Sequence, residues 1–142
     1  MEYVVGILLG LAVAGSAMWI GLDRGRSFYP TVLIVVAAYY PLFAVMGASG
    51  TILQIEIAAA VGFSLLAVLG FKRHLWLVAA AIAGHGVFDF VHHLLIPNPG
   101  MPIWWPGFCG SVDLILGAWL AVFLNRAERP QPRTLECNGL RT

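Results

Sequence analysis

Charge is what this chain has least of. Only 11% of its 142 residues are charged, against 60% apolar, with mean hydropathy +0.85 and a net charge of +1. Such a chain is neither disordered nor a nucleic-acid binder, since both need many more polar or basic groups. A soluble helical bundle is disfavoured too, because its helices would need polar faces that these segments lack. Cysteine is scarce as well, with only Cys109 and Cys137. The topology below puts them near opposite faces of the membrane. A disulfide needs Cα atoms within about 7 Å, so none is expected within one chain.

What is abundant is apolar runs. Five can be drawn, at residues 3–22, 29–48, 51–71, 75–96 and 104–124. Each has about 20 residues, enough at 1.5 Å per residue to span roughly 30 Å of hydrocarbon. The reading is an all-α integral membrane bundle of five transmembrane helices over residues 1–124, with residues 125–142 as a disordered cytoplasmic tail. The first run does not read as a cleaved signal. Its start carries Glu2 and no basic residue, although Ala14-Gly15-Ser16-Ala17 has the look of a cleavage site.

The basic residues orient the bundle. Arg24, Arg26, Lys72, Arg73, Arg126, Arg129, Arg133 and Arg141 fall between spans 1 and 2, between spans 3 and 4, and after span 5. Five spans put those regions on one side. The positive-inside rule then predicts the N-terminus outside and the C-terminus inside a bacterial inner membrane. Short connections predict that consecutive helices pack as antiparallel neighbours. Gly6, Gly10 and Ala14 form one small-residue face, and Ala79, Ala80, Ala83 and Gly84 another; both suit close helix contact, within the chain or in a homo-oligomer. Pro41 is expected to kink or break helix 2. The outer segment 97–107 is too rich in proline for regular helix, and Trp104 and Trp105 suit an interfacial anchor or, alternatively, a lid.

Against this background the stretch Gly84-His85-Gly86-Val87-Phe88-Asp89-Phe90-Val91-His92-His93 stands out. At 100° per residue His85, Asp89 and His92 share a narrow stripe, with His93 at its edge. Ionisable groups in hydrocarbon are costly and point to a functional site. Glu56 and Asp113 are the other acids inside spans, and no Lys or Arg lies there. Helical rise puts Glu56 about 8 Å, His92 about 6 Å, Asp89 about 10 Å, Asp113 about 12 Å and His85 about 16 Å below the outer boundary. If their faces converge, they form a carboxylate–histidine cup open to the outside.

A buried carboxylate without a cation is protonated, bonded to histidine, or bound to metal. Imidazole with carboxylate suits zinc above all, with iron or manganese as alternatives. The candidate ligands are His85, Asp89, His92, His93 and Asp113, with Glu56 as general base on a bound water. The weaker candidates are Gln54, for a helix–helix hydrogen bond; Tyr39 or Tyr40, as donors to the cup; and Cys109, one turn before Asp113, as a soft ligand. Haem is disfavoured because the three site histidines share one helix. The competing readings are a metal-free protonatable site, as in a proton-coupled carrier of ions or small solutes, and a polar network in a structural subunit of a membrane complex.

The pattern Gly84-His85 … Asp89 … His92-His93, then Trp104-Trp105-Pro106-Gly107-Phe108-Cys109 and Asp113, resembles a small family of uncharacterised bacterial multi-pass membrane proteins over helices 4 and 5. That resemblance implies the fold and no activity. A fainter similarity is to membrane metal-hydrolases of the alkaline ceramidase type, whose sites combine Asp, His and Ser in helices. This chain has fewer spans and lacks their terminal His-x-x-x-His. The expected function is therefore an outward-facing divalent-metal site, in an enzyme form acting on a lipid-like or other small-molecule substrate drawn from the membrane lipid.

The orientation is directly testable. A reporter fused after Thr142 is expected in the cytoplasm and one fused before Met1 outside. Both ends on one side would remove the five-span arrangement.

Overall fold

The computed structural model describes residues 1–128. All five apolar runs are helices: α1 (Glu2–Ile20), α2 (Phe28–Gly47), α3 (Gly50–Lys72), α4 (Leu75–Leu95) and α5 (Trp105–Glu128). Each is long and apolar enough to cross a membrane. The burial pattern is the reverse of a soluble protein's. Leu8, Leu11, Ile55, Val61, Leu65 and Val87 are exposed, while Glu56, His85, Asp89, His92 and Asp113 are buried. Only a lipid solvent makes that distribution favourable. The chain is a polytopic, all-helical membrane protein.

Local chemistry sets the helix ends. Gly21 closes α1 in the left-handed conformation, at φ 84°, which costs a residue without Cβ nothing. Its N–H reaches the carbonyls of Ala17 and Met18. Ser49 caps α3 by accepting from the Ile52 N–H at 3.4 Å. On the basic side, Arg26 donates to the carbonyl of Phe71 at 3.0 Å, satisfying an orphan acceptor at the end of α3. Helix 5 starts earlier than its prolines suggested. Pro106 and Gly107 lie inside α5, because proline is tolerated in a first turn whose N–H groups have no partner anyway. The α5 helix also runs to Glu128, past the boundary drawn at residue 124. The rest of the expected tail, Cys137 included, lies outside the described residues. Helix α2 continues unbroken through Pro41.

Packing departs from sequence order at one place. The α2, α3 and α4 helices pack together and α4 packs on α5, but α1 leaves its neighbour α2 and lies along α5. Its Gly6-x-x-x-Gly10 face explains this. A Cβ at Gly6 would overlap the Phe108 carbonyl, and one at Gly10 would sit 3.0 Å from Ile115 Cβ. Glycine thus lets two backbones approach in lipid, where apolar burial alone offers no gain. The same device joins α4 to α5. Cβ atoms built at Gly86 and Gly110 would each come 2.9 Å from the other's carbonyl oxygen, and one at Gly117 would meet Ala83 N at 2.9 Å and Ala79 O at 3.0 Å. The small face of α4 is therefore Ala79, Ala83 and Gly86. Ala80 and Gly84 are exposed, and nothing lies within 4 Å of a Cβ at Gly84.

This contrast gives a stability test. Gly86→Leu must push α4 from α5 and is expected to cost at least about 1–3 kcal/mol, the usual range for overpacking. Gly84→Leu places its side chain in open space and leaves thermal unfolding in detergent nearly unchanged. Equal melting shifts would remove the assigned interface.

Candidate functional site

The α4–α5 contact carries the site. His85 and Asp89 face α5 one turn apart, and Asp113 lies one turn past Gly110, which permits the approach. The layer is not the open cup that the sequence suggested, because the helices and the 97–104 connection close over it: Glu56, Asp89, His92 and Asp113 are 0% exposed and His85 is 1% exposed. They form two histidine–carboxylate pairs. His85 Nδ1 lies 2.7 Å from Asp113 Oδ2 and 3.6 Å from Asp89 Oδ1. His92 Nε2 lies 2.9 Å from Glu56 Oε1, across to α3. Pairing is what makes these charges tolerable in a low-dielectric interior.

Tyr40 of α2 links the pairs. Its hydroxyl donates to Asp89 Oδ1 at 2.7 Å, while its ring stacks on His92 with centroids 4.0 Å apart and planes at 23°. The tyrosine therefore acts both as donor to the cup and as aromatic packing. Phe63 closes the other side, edge-on to His85 at 4.6 Å.

Asn98 is the member that the sequence did not announce. It sits in the outer connection, between Pro97 and Pro99, yet is buried. Its Nδ2 donates to Glu56 Oε1 at 2.8 Å and to the Tyr40 carbonyl at 3.2 Å. Its Oδ1 accepts from the Gly100 N–H at 3.2 Å, and a turn closes from Met101 N–H to the Asn98 carbonyl. The only available signal was a lone amide between two prolines beside the end of helix 4.

The expected residues divide as follows. Glu56, His85, Asp89, His92 and Asp113 converge. His93 does not: one further residue, 100° of rotation, carries it off the stripe, and it is exposed near the 97–104 connection. There it lines a cavity of about 900 Å³ with Glu2, Tyr3, Ile52 and Ile103. Asn98 lines the same cavity and so stands between it and the sealed pairs. Gln54 is exposed on α3 and joins no pair. Cys109 is buried but lies outside the group that is close enough to share an ion. Trp104 is half exposed, as an anchor would be. Trp105 instead packs between Tyr39, at 5.0 Å, and Phe43, at 4.9 Å, tying α5 to α2.

One group has ligand spacing. One ligand atom each from His85, Asp89 and Asp113 lie within 4.8 Å of one another. Asp89 Oδ2 and Asp113 Oδ1 are buried and have no hydrogen-bond partner among the described residues, and the same holds for Glu56 Oε2 and His92 Nδ1. Such orphans are rare in folded proteins, and an ion or water is a usual reason for them. The arrangement can therefore hold a cation at one pair and accept a proton at the other.

The tyrosine bridge is testable without knowing the ligand. Tyr40→Phe removes a donor from a buried carboxylate and is expected to lower stability by about 1–3 kcal/mol. Tyr39→Phe, one residue earlier, is expected to stay within about 0.5 kcal/mol. Equal thermal shifts in detergent would mean that the hydroxyl on Asp89 contributes nothing. Comparison with protein-family models, with curated proteins and with solved structures finds no match, so the resemblance in helices 4 and 5 rests on those residues alone.

Proposed function

We propose that this polytopic membrane protein binds one divalent metal, zinc before iron or manganese, through His85, Asp89 and Asp113. The observation that carries the reading is the three-residue group with ligand atoms within 4.8 Å, two of whose carboxylate oxygens have no hydrogen-bond partner among the described residues. Two carboxylates and one imidazole have an excess of negative charge that no Lys or Arg in the spans can offset. A dication offsets it and satisfies the free oxygens together. Zinc with imidazole and carboxylate takes ligands at about 2.0–2.2 Å, and three protein ligands leave a fourth position open, the pattern of catalytic sites. Metal entry displaces the proton shared by His85 and Asp113, so affinity falls on acidification.

The enzyme form of this reading is a metal-dependent hydrolase acting on a lipid-like substrate. The layer lies in the half of the bundle nearer the 97–104 connection, under the 900 Å³ cavity. Amphiphiles from the surrounding lipid reach such a depth without crossing the bilayer. A proton-coupled carrier is less well supported. From His85 to the basic end, the spans hold no His, Asp or Glu and no Lys or Arg before Lys72 and Arg126 at the helix ends, so a relay through the bundle lacks carboxylates and imidazoles in its second half. In the proposed orientation the sealed layer lies in the outer half of the inner membrane, beneath the cavity.

Metal analysis tests the reading. Purified protein is expected to retain close to one zinc, iron or manganese per chain. Asp89→Asn and His85→Ala are expected to lose it more than tenfold while still inserting, because backbone hydrogen bonding and packing hold the helices. His93→Ala is expected to keep it. Metal-free wild-type protein that gains no ion on dialysis against zinc would sink the proposal.

A further inference from the structure

The second pair, His92 with Glu56, has a different chemistry from the first, and Asn98 reveals it. The amide of Asn98 has only one orientation compatible with its backbone partners. Its oxygen accepts the Gly100 N–H and its nitrogen donates to the Tyr40 carbonyl. The group facing Glu56 Oε1 at 2.8 Å is therefore the NH₂, a donor. Glu56 Oε1 thus accepts from Asn98, and with Glu56 as a carboxylate, which has no hydrogen to give, its second neighbour, His92 Nε2 at 2.9 Å, carries the hydrogen between them. Neutral imidazole has one N–H, so His92 Nδ1 is a bare lone pair. That atom is buried and has no partner among the described residues.

We propose that His92 is the proton acceptor of this site, with Glu56 and Asn98 as positioning residues that hold it in the Nε2–H tautomer. This rests on the outward-facing site read above, but moves the base from Glu56 to His92 and leaves His92 out of the metal ligands. The ligand it takes is protic: a water or a hydroxyl group entering from the cavity that Asn98 borders. In the transfer, the ligand's O–H bond breaks, its electron pair stays on oxygen, and the proton bonds to Nδ1. The resulting imidazolium keeps its Nε2–H on the Glu56 carboxylate, which stabilises the charge. The Tyr40 ring stacked on His92 holds the imidazole plane, and its hydroxyl on Asp89 keeps the acceptor next to the other pair.

Nitrogen NMR of protein labelled at histidine, in detergent with and without zinc, tests this. His92 is expected to show a protonated Nε2 and an unprotonated Nδ1, with a water cross-peak to Nδ1. Glu56→Gln, whose amide oxygen can accept from both neighbours, is expected to keep that tautomer. Glu56→Leu is expected to lose it. Added zinc is expected to shift His85 and leave His92 Nδ1 in place. A protonated Nδ1 in the wild type, or a His92 Nδ1 that moves on to zinc, would overturn the proposal. If zinc shifts neither histidine while the tautomer holds, the metal reading fails and the acceptor stands.

Discussion

A carboxylate inside a membrane needs a countercharge or hydrogen-bond donors within reach, and this chain keeps its Lys and Arg at the helix ends. The three buried acids within the spans must therefore find partners among histidine, tyrosine and an amide. That requirement shapes the half of the bundle nearer the 97–104 connection. Asp113 and Asp89 share His85, Glu56 shares His92, and Tyr40 and Asn98 supply the remaining donors. Apart from His85 and Asp89, which share α4, the partners come from different helices or from the 97–104 connection, so those contacts also fix where a helix stands. A polar bond that satisfies a buried charge in lipid is hard to give up, since no water is present to replace it.

Those bonds need backbones that come close, and glycine provides the approach. Gly86 against Gly110 lets α4 and α5 near enough for His85 to reach Asp113 at 2.7 Å. A larger residue at either place would widen the gap and strand the acid. The Gly6 and Gly10 face does a separate task, holding α1 on the far side of α5, where it contributes no ionisable group to the layer. Architecture and chemistry thus meet in α5. It carries one ligand candidate, contacts two helices through small residues, and is tied to α2 by Trp105.

The two pairs are chemically unequal although their residue types match. Around His85 two carboxylates crowd one nitrogen, which suits a cation. Around His92 one carboxylate and one amide meet, with Asn98 donating to Glu56, which is the arrangement behind the proposed base. The difference comes from Asn98, a residue outside every span. Its turn is held by Gly100, whose backbone packs against the Phe43 carbonyl at the end of α2.

The sequence by itself determined the five helices and the layer. Long apolar runs have only one stable backbone solution in lipid, and the 100° period already placed His85, Asp89 and His92 on one stripe while fixed rise set the depth of Glu56 and Asp113. It also marked Gly6 and Gly10 as a contact face, without saying which helix they would meet. Tertiary structure alone decided that α1 goes to α5 instead of α2, that His93 lies exposed, and that Ala80 and Gly84 stay exposed instead of joining the α4–α5 contact. It alone decided which acid each histidine takes and that Asn98 reaches in from the loop. Periodicity gives each residue an angle and a depth on its own helix. Pairing depends on the rotation of one helix against another, and that is set by packing of surfaces that lie far apart along the chain.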